Sequence, residues 1–88
     1  LGEVDVVAKE KDTIVFVEIK ARSSLGTGYA KEAVNLRKQR QISKAALFYL
    51  KSRDLLGKRA RFDVVAIIKG VEKEGFELVR DAFELQYP

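Results

Sequence analysis

Between Glu3 and Lys9 apolar and polar positions alternate, with Val4, Val6 and Ala8 on one side and Glu3, Asp5, Val7 and Lys9 on the other. A period of two is that of a half-buried strand. Glu10-Lys11-Asp12 interrupts the alternation. Thr13 to Ala21 then resumes it with a stronger, β-branched run, Ile14-Val15-Phe16-Val17, so the two segments predict a hairpin. Ser23 to Gly28, with its serines and glycines, predicts a loop. Tyr29 to Val34 predicts a short helical turn, and Asn35 the N-cap of a longer helix reaching Arg53. On that helix Ile42, Ala45, Ala46, Tyr49 and Leu50 form an apolar stripe, while Arg37, Arg40, Lys44 and Lys51 lie opposite with Phe48 among them. Gly57 is the expected break. Arg61 to Lys69 is largely apolar at both parities, which predicts a central strand covered on both faces. Gly70 to Gly75 reads as a polar turn, and Phe76 to Arg80 as a fourth strand antiparallel to the third.

This order of elements predicts one α/β domain over residues 1–88, built on a central mixed β-sheet of about four strands flanked by helices. A chain of this length buries roughly 60–65% of its unfolded surface, enough for a single core. One long helix covers only one face of a sheet. The second cover is therefore expected from a partner subunit or from an N-terminal piece, because the chain begins without methionine and opens almost directly on a strand pattern, as a truncated domain would.

Composition narrows the chemistry. There is no cysteine and no histidine, which excludes a disulfide framework, a thiolate zinc site and imidazole ligands or bases. Any metal must be held by oxygen. Ser23 and Ser24 have no histidine to activate them, which argues against a serine nucleophile. No apolar run approaches the roughly 20 residues of a membrane helix, and no signal-peptide pattern is present, so a cytoplasmic protein without a membrane partner is expected. The net charge of +4 permits an anionic partner without requiring one. Arg37, Lys38 and Arg40 crowd the start of the helix, where each opposes the helix dipole by roughly a few tenths of a kcal/mol. A phosphate docked there would turn that arrangement favourable; a solvated charged face is the plainer alternative.

The conspicuous triplet is Glu18-Ile19-Lys20, two charges on one side at the end of a strongly apolar strand. A two-residue loop at Lys11-Asp12 would set Asp5 across from Glu18 and Glu3 across from Lys20, on one face. A four-residue loop would instead oppose Glu3 to Glu18 and leave Asp5 a diagonal neighbour, and an odd loop without a bulge would part Asp5 from Glu18. Carboxylates about 5 Å apart at Cβ repel unless one is protonated or a cation lies between them. Mg²⁺ (or Mn²⁺) answers that need, taking one or two carboxylates and completing its shell with water and substrate phosphate. The Ile19 carbonyl offers a further oxygen, and Lys20 a group to orient a metal-bound water or to meet charge on a phosphate.

These residues are the inventory of metal-assisted phosphodiester hydrolysis. Gly2-Glu3-Val4-Asp5, Val17-Glu18-Ile19-Lys20 with Arg22-Ser23, Lys38-Gln39-Arg40, Arg61-Phe62-Asp63-Val64-Val65-Ala66 and Arg80-Asp81-Ala82-Phe83 follow one another in an order that resembles the YraN family of bacterial proteins. That family is similar to archaeal Holliday-junction resolvases and to the PD-(D/E)XK nucleases. The resemblance implies a restriction-endonuclease-like fold and a Mg²⁺-dependent endonuclease acting on DNA, with branched DNA among its substrates. It implies Asp5 and Glu18 as metal ligands, Lys20 as the catalytic lysine, and Glu3 as an accessory acid. Arg22, Arg37, Lys38, Gln39, Arg40 and Lys44 become the nucleic-acid contacts, Gln39 as the polar helix residue facing the site. Symmetric cutting of two strands implies a homodimer. The helical acid that the superfamily carries before the first strand has no counterpart in this sequence.

Three other readings stand beside this one. Asp5, Glu18 and Lys20 would also suit a solvated strand face, or a fold that binds nucleic acid without cutting it; a purely structural or protein-interaction domain is the third. Asp63, inside an apolar strand, is expected to pair with Arg61 or Arg80 rather than to act in catalysis, and Phe48 to pack against a neighbouring element or subunit.

Overall fold

The computed structural model describes residues 4–23, 34–69 and 74–86. Its elements are β1 (Val6–Glu10), β2 (Thr13–Ser23), α1 (Leu36–Ser52), β3 (Arg59–Lys69) and β4 (Glu74–Phe83). They form a four-stranded sheet in the order β1-β2-β3-β4, antiparallel at both outer pairs and parallel between β2 and β3. Parallel neighbours need a crossover, and the connection containing α1 supplies it. The expected α/β fold with a mixed sheet is what is found, consistent with a restriction-endonuclease-like architecture. The loop expected after Ser23, the helical turn before Val34 and the turn at Gly70 lie mostly or wholly outside the described residues.

The hairpin takes its tightest form. Val6 pairs with Val17 and Glu10 with Thr13, leaving Lys11-Asp12 as a two-residue loop. Lys11 has φ 54° while Asp12 stays at negative φ, the sign pattern of a II′ turn that suits the twist of its strands. Without the usual glycine, Lys11 carries the strain of a left-handed backbone.

The core lies between the sheet and α1. Ile14 and Phe16 of β2, Phe62, Val64 and Ala66 of β3, and Ile42, Ala46 and Leu50 of the helix are all buried, joined by Val34. The helix residues recur every four positions, so one stripe meets the sheet. Burying Ile42 and Leu50 contributes about 1.5–3 kcal/mol each. Register then builds an aromatic row across three strands. Phe16 opposes Phe62 and Phe62 opposes Phe83, with stacked rings whose centroids lie 5.6 and 4.8 Å apart, and Tyr49 of α1 meets Phe16 edge-on at 5.7 Å.

Asn35 caps the helix as expected, its side chain accepting from the Lys38 amide at 2.9 Å. Its end differs from expectation. The left-handed residue is Asp54, at φ 57°, not Gly57. The Leu55 amide reaches the Leu50 carbonyl at 2.7 Å and the Asp54 amide the Lys51 carbonyl at 3.2 Å, a Schellman closure that seats Leu55 against the core.

One expectation about cover needs correction. β1 is exposed along its whole length rather than half-buried, because it is the sheet edge and α1 crosses over β2 and β3. β3 is buried beneath α1, and on its other face, where the second cover was expected from a partner subunit or an N-terminal piece, Val65 is half-buried and Ile67 exposed. Among the described residues a single helix packs on a single face. The reverse face carries an ion-pair chain instead. Arg61 donates two hydrogen bonds to Asp63, at 3.0 and 3.2 Å, and one to Glu10 at 2.8 Å; Arg80 also reaches Glu10. Asp63 therefore pairs with Arg61, as anticipated for a structural acid. It has a second task that the sequence did not announce. Between the pairs Phe62–Phe83 and Val64–Val79, β3 has Asp63 alone while β4 has Arg80, Asp81 and Ala82. Asp63 accepts the Asp81 amide at 2.9 Å and so holds this bulge.

Candidate functional site

Strand alternation places Glu18 and Lys20 on the face that carries Ile14 and Phe16, beneath α1. Glu18, in the middle of β2, is 5% exposed, an uncommon depth for a carboxylate. Asp5 lies just before β1, and continuing the hairpin register by one residue sets it opposite Glu18. Its Oδ2 accepts the backbone N–H of Ile19 at 2.8 Å, which ties Asp5 to β2 beyond the end of the paired ladder. A strand residue's N–H and C=O point to the same neighbour, so the Ile19 carbonyl faces this edge too. Asp5, Glu18 and the Ile19 backbone thus converge as the two-residue loop required. Glu3 lies outside the described residues.

Burial pushes the Glu18 carboxyl above the ordinary glutamate range, and the nearby Asp5 charge pushes it further. Lys38 opposes the shift: its Nζ lies 3.7 Å from Glu18 Oε2 and its side chain is 30% exposed. The acids therefore share too little positive charge. Among the described residues no group of three or more Asp, Glu, His or Cys gathers to hold a metal. Two hard carboxylates plus a carbonyl still fit Mg²⁺ or Mn²⁺, which need only one or two carboxylates from the protein. An added cation would relieve the Asp5 repulsion that adds to the effect of burial on Glu18.

Lys20 is half-buried and looks into a cavity of about 240 Å³ whose other walls are Asn35, Arg37, Lys38 and Gln41. The anticipated basic helix start thus divides into roles. Arg37 and Lys38 reach the cavity beside the acids, whereas Arg40 and Lys44 are exposed on α1. Lys38 is not simply a solvent-facing contact, since it also pairs with Glu18. Gln39, expected to face the site, donates its amide to the Val34 carbonyl at 3.0 Å and so secures the segment entering the helix. The uncharged polar residues lining the cavity are Asn35 and Gln41, and nothing in the sequence pattern singled out Gln41. Arg22 belongs to β2, and its side chain is outside the described residues. Phe48 is 56% exposed and borders a groove with Val4, Val7 and Arg53 rather than packing under a neighbouring element.

Also missed were Ser43 and the Glu10 ion pairs. Ser43 is fully buried, and its Oγ accepts the Gln86 amide at 2.8 Å, docking the tail that follows β4 onto α1. A small polar residue within an apolar stripe is the only signal that could have found it.

Fold and site together define an α/β protein of mixed sheet with an acid pair and a lysine at the parallel-strand end of the hairpin. The chain matches the model of the "Uncharacterised protein family UPF0102" over residues 1–67. It is 50% identical over 86 residues to a UPF0102 protein of Syntrophus aciditrophicus, covering 98% of this chain and 68% of that one. It is 48% identical to a UPF0102 protein of Acetivibrio thermocellus (94% and 68%) and 49% identical to one of Geobacter sulfurreducens (98% and 68%). The chain belongs to the UPF0102 family, the same as the YraN family its motifs resemble.

Proposed function

We propose that this protein is a metal-dependent endonuclease that hydrolyses DNA phosphodiester bonds, with branched DNA such as a Holliday junction as a favoured substrate. One observation carries the reading: Asp5 meets the buried Glu18 at the open end of the hairpin, two residues before a lysine that opens into a cationic cavity. Asp5, Glu18 and the Ile19 carbonyl would hold Mg²⁺ or Mn²⁺. When bound, that ion supplies Lewis acidity and an activated water. The ammonium of Lys20 then meets the negative charge that grows on the phosphate as the bond to the leaving oxygen breaks. Arg37 helps anchor the phosphodiester, and Arg22, Arg40 and Lys44 extend the basic surface toward flanking backbone. Cutting two strands of a junction calls for two copies, so the active form is a homodimer.

The test is cleavage of a four-way junction with Mg²⁺. Asp5→Asn or Lys20→Ala abolishes cutting and leaves binding largely intact. A wild-type protein that binds DNA but cuts no form of it with Mg²⁺ or Mn²⁺ is a nucleic-acid-binding module instead. Absence of any salt-dependent binding would favour a structural or protein-interaction domain.

A further inference from the structure

Lys38 stands between two partners of opposite kind. On one side is the carboxylate of Glu18, at 3.7 Å; on the other is the cavity it shares with Lys20, Arg37 and Gln41. Three cations from two separate elements line that cavity, and among the described residues no acid lines it. Like charges gathered around a polar hollow are unfavourable until an anion enters. Asn35 already accepts the amides of Lys38 and Gln39, so the attraction rests chiefly on the charged side chains. A lysine has a long flexible stem and one compact charge, so it serves one of these partners fully only by leaving the other.

We infer that the cavity is a phosphate subsite and that Lys38 is its gating cation, held on Glu18 until that carboxylate is neutralised and then released to the anion. Neutralising Glu18, by substitution or by a divalent cation, strengthens phosphate binding through Lys38. Phosphate and metal therefore favour one another, and by linkage each raises the other's affinity by the same factor. Only the metal arm of this scheme rests on the function proposed above.

The experiment is a titration of the full chain with inorganic phosphate, followed by NMR or calorimetry. Without metal, Glu18→Gln tightens phosphate binding by about fivefold or more, the lower end of ordinary coupling between sites. In the Lys38→Ala background the same substitution changes it less than about twofold, which completes a double-mutant cycle. Gln is close in shape to Glu, and Lys38 is on a partly exposed helix face, so helical circular dichroism reports that each variant is folded. An equal effect of Glu18→Gln in both backgrounds would show that Lys38 does not carry the coupling and would overturn the inference, as would failure of both the wild type and Glu18→Gln to bind phosphate. In the second arm Mg²⁺ tightens phosphate on the wild type and less so on Lys38→Ala, after allowance for Mg²⁺–phosphate association in solution. If Mg²⁺ binds but phosphate affinity does not move, the inference fails while the metal site stands. If Mg²⁺ does not bind, the metal reading fails and the metal-free cycle still decides the role of Lys38.

Discussion

The carboxylate of Asp5 accepts the backbone amide of Ile19 at 2.8 Å, so the acid that precedes β1 is fastened to the strand that carries Glu18. One contact closes the open end of the hairpin and sets two acids side by side. Its two functions are separable because an amide oxygen can replace the acceptor but not the charge.

Asp5→Asn keeps an acceptor for Ile19 and is expected to alter stability by less than about 0.5 kcal/mol, whereas Asp5→Ala loses the hydrogen bond at a cost of about 1 kcal/mol. Both variants weaken Mg²⁺ or Mn²⁺ binding by more than about tenfold, as loss of a ligand should. Urea denaturation beside a metal titration separates the two effects. Equal metal affinity in Asp5→Asn and wild type would remove Asp5 from the site.

The raised Glu18 pKa has a definite sign. The folded state holds this proton to higher pH than the unfolded chain, so between the two pKa values it binds more protons and stability falls as pH rises. The favourable contribution is complete below the ordinary glutamate range and gone once pH exceeds the folded value. Glu18→Gln therefore gains on the wild type as pH climbs from that range toward neutrality, and Mg²⁺ narrows the gap by stabilising only the wild type. Chemical denaturation across pH checks this; a difference independent of pH would contradict it.

Asp63 is expected to matter for stability and not for metal. Asp63→Ala leaves the Asp81 amide without its acceptor, at a cost of about 2 kcal/mol, and takes away both of Arg61's hydrogen bonds to that carboxylate. Metal affinity should stay within about twofold, since the bulge lies on the reverse side of the sheet from Glu18. A large loss of metal binding in a folded Asp63→Ala protein would move Asp63 into the site.

At the helix end, Asp54→Gly should stabilise by roughly 0.5–1 kcal/mol by relieving a side chain at φ 57° in the Schellman closure. Gly57 needs no such freedom: it is not at positive φ, and an added Cβ would meet open space. Gly57→Ala should therefore be neutral or stabilising by up to about 1 kcal/mol. Thermal unfolding of the two variants distinguishes these positions, and destabilisation by Gly57→Ala would restore it as the helix terminator.

Much of this was legible in the chain. Period-two and period-four apolar patterns are local, and they located the hairpin, α1 and β3 because burial selects one face of each element. Hairpin parity made Asp5 the partner of Glu18 once the loop was taken as two residues. The helix end was misjudged because glycine is merely the commonest left-handed residue and Asp can take that place. β1 was assigned more cover than it has, since an apolar position records a tendency to be buried and not the element that buries it.

What remained for the tertiary structure were choices among long side chains with several reachable partners. Alternation put Glu18 and Lys20 on one face, but only the seating of α1 on β2 brought Lys38 to Glu18 and Gln41, rather than Gln39, to the cavity wall. Asp63 could be read as a structural acid, yet its hold on the Asp81 amide required the β4 bulge. Strand faces follow from the fixed geometry of neighbouring peptides, so the sequence alone determines them. The partners of Lys38, Gln39 and Asp63 depend on how separate elements are packed, which no local pattern encodes.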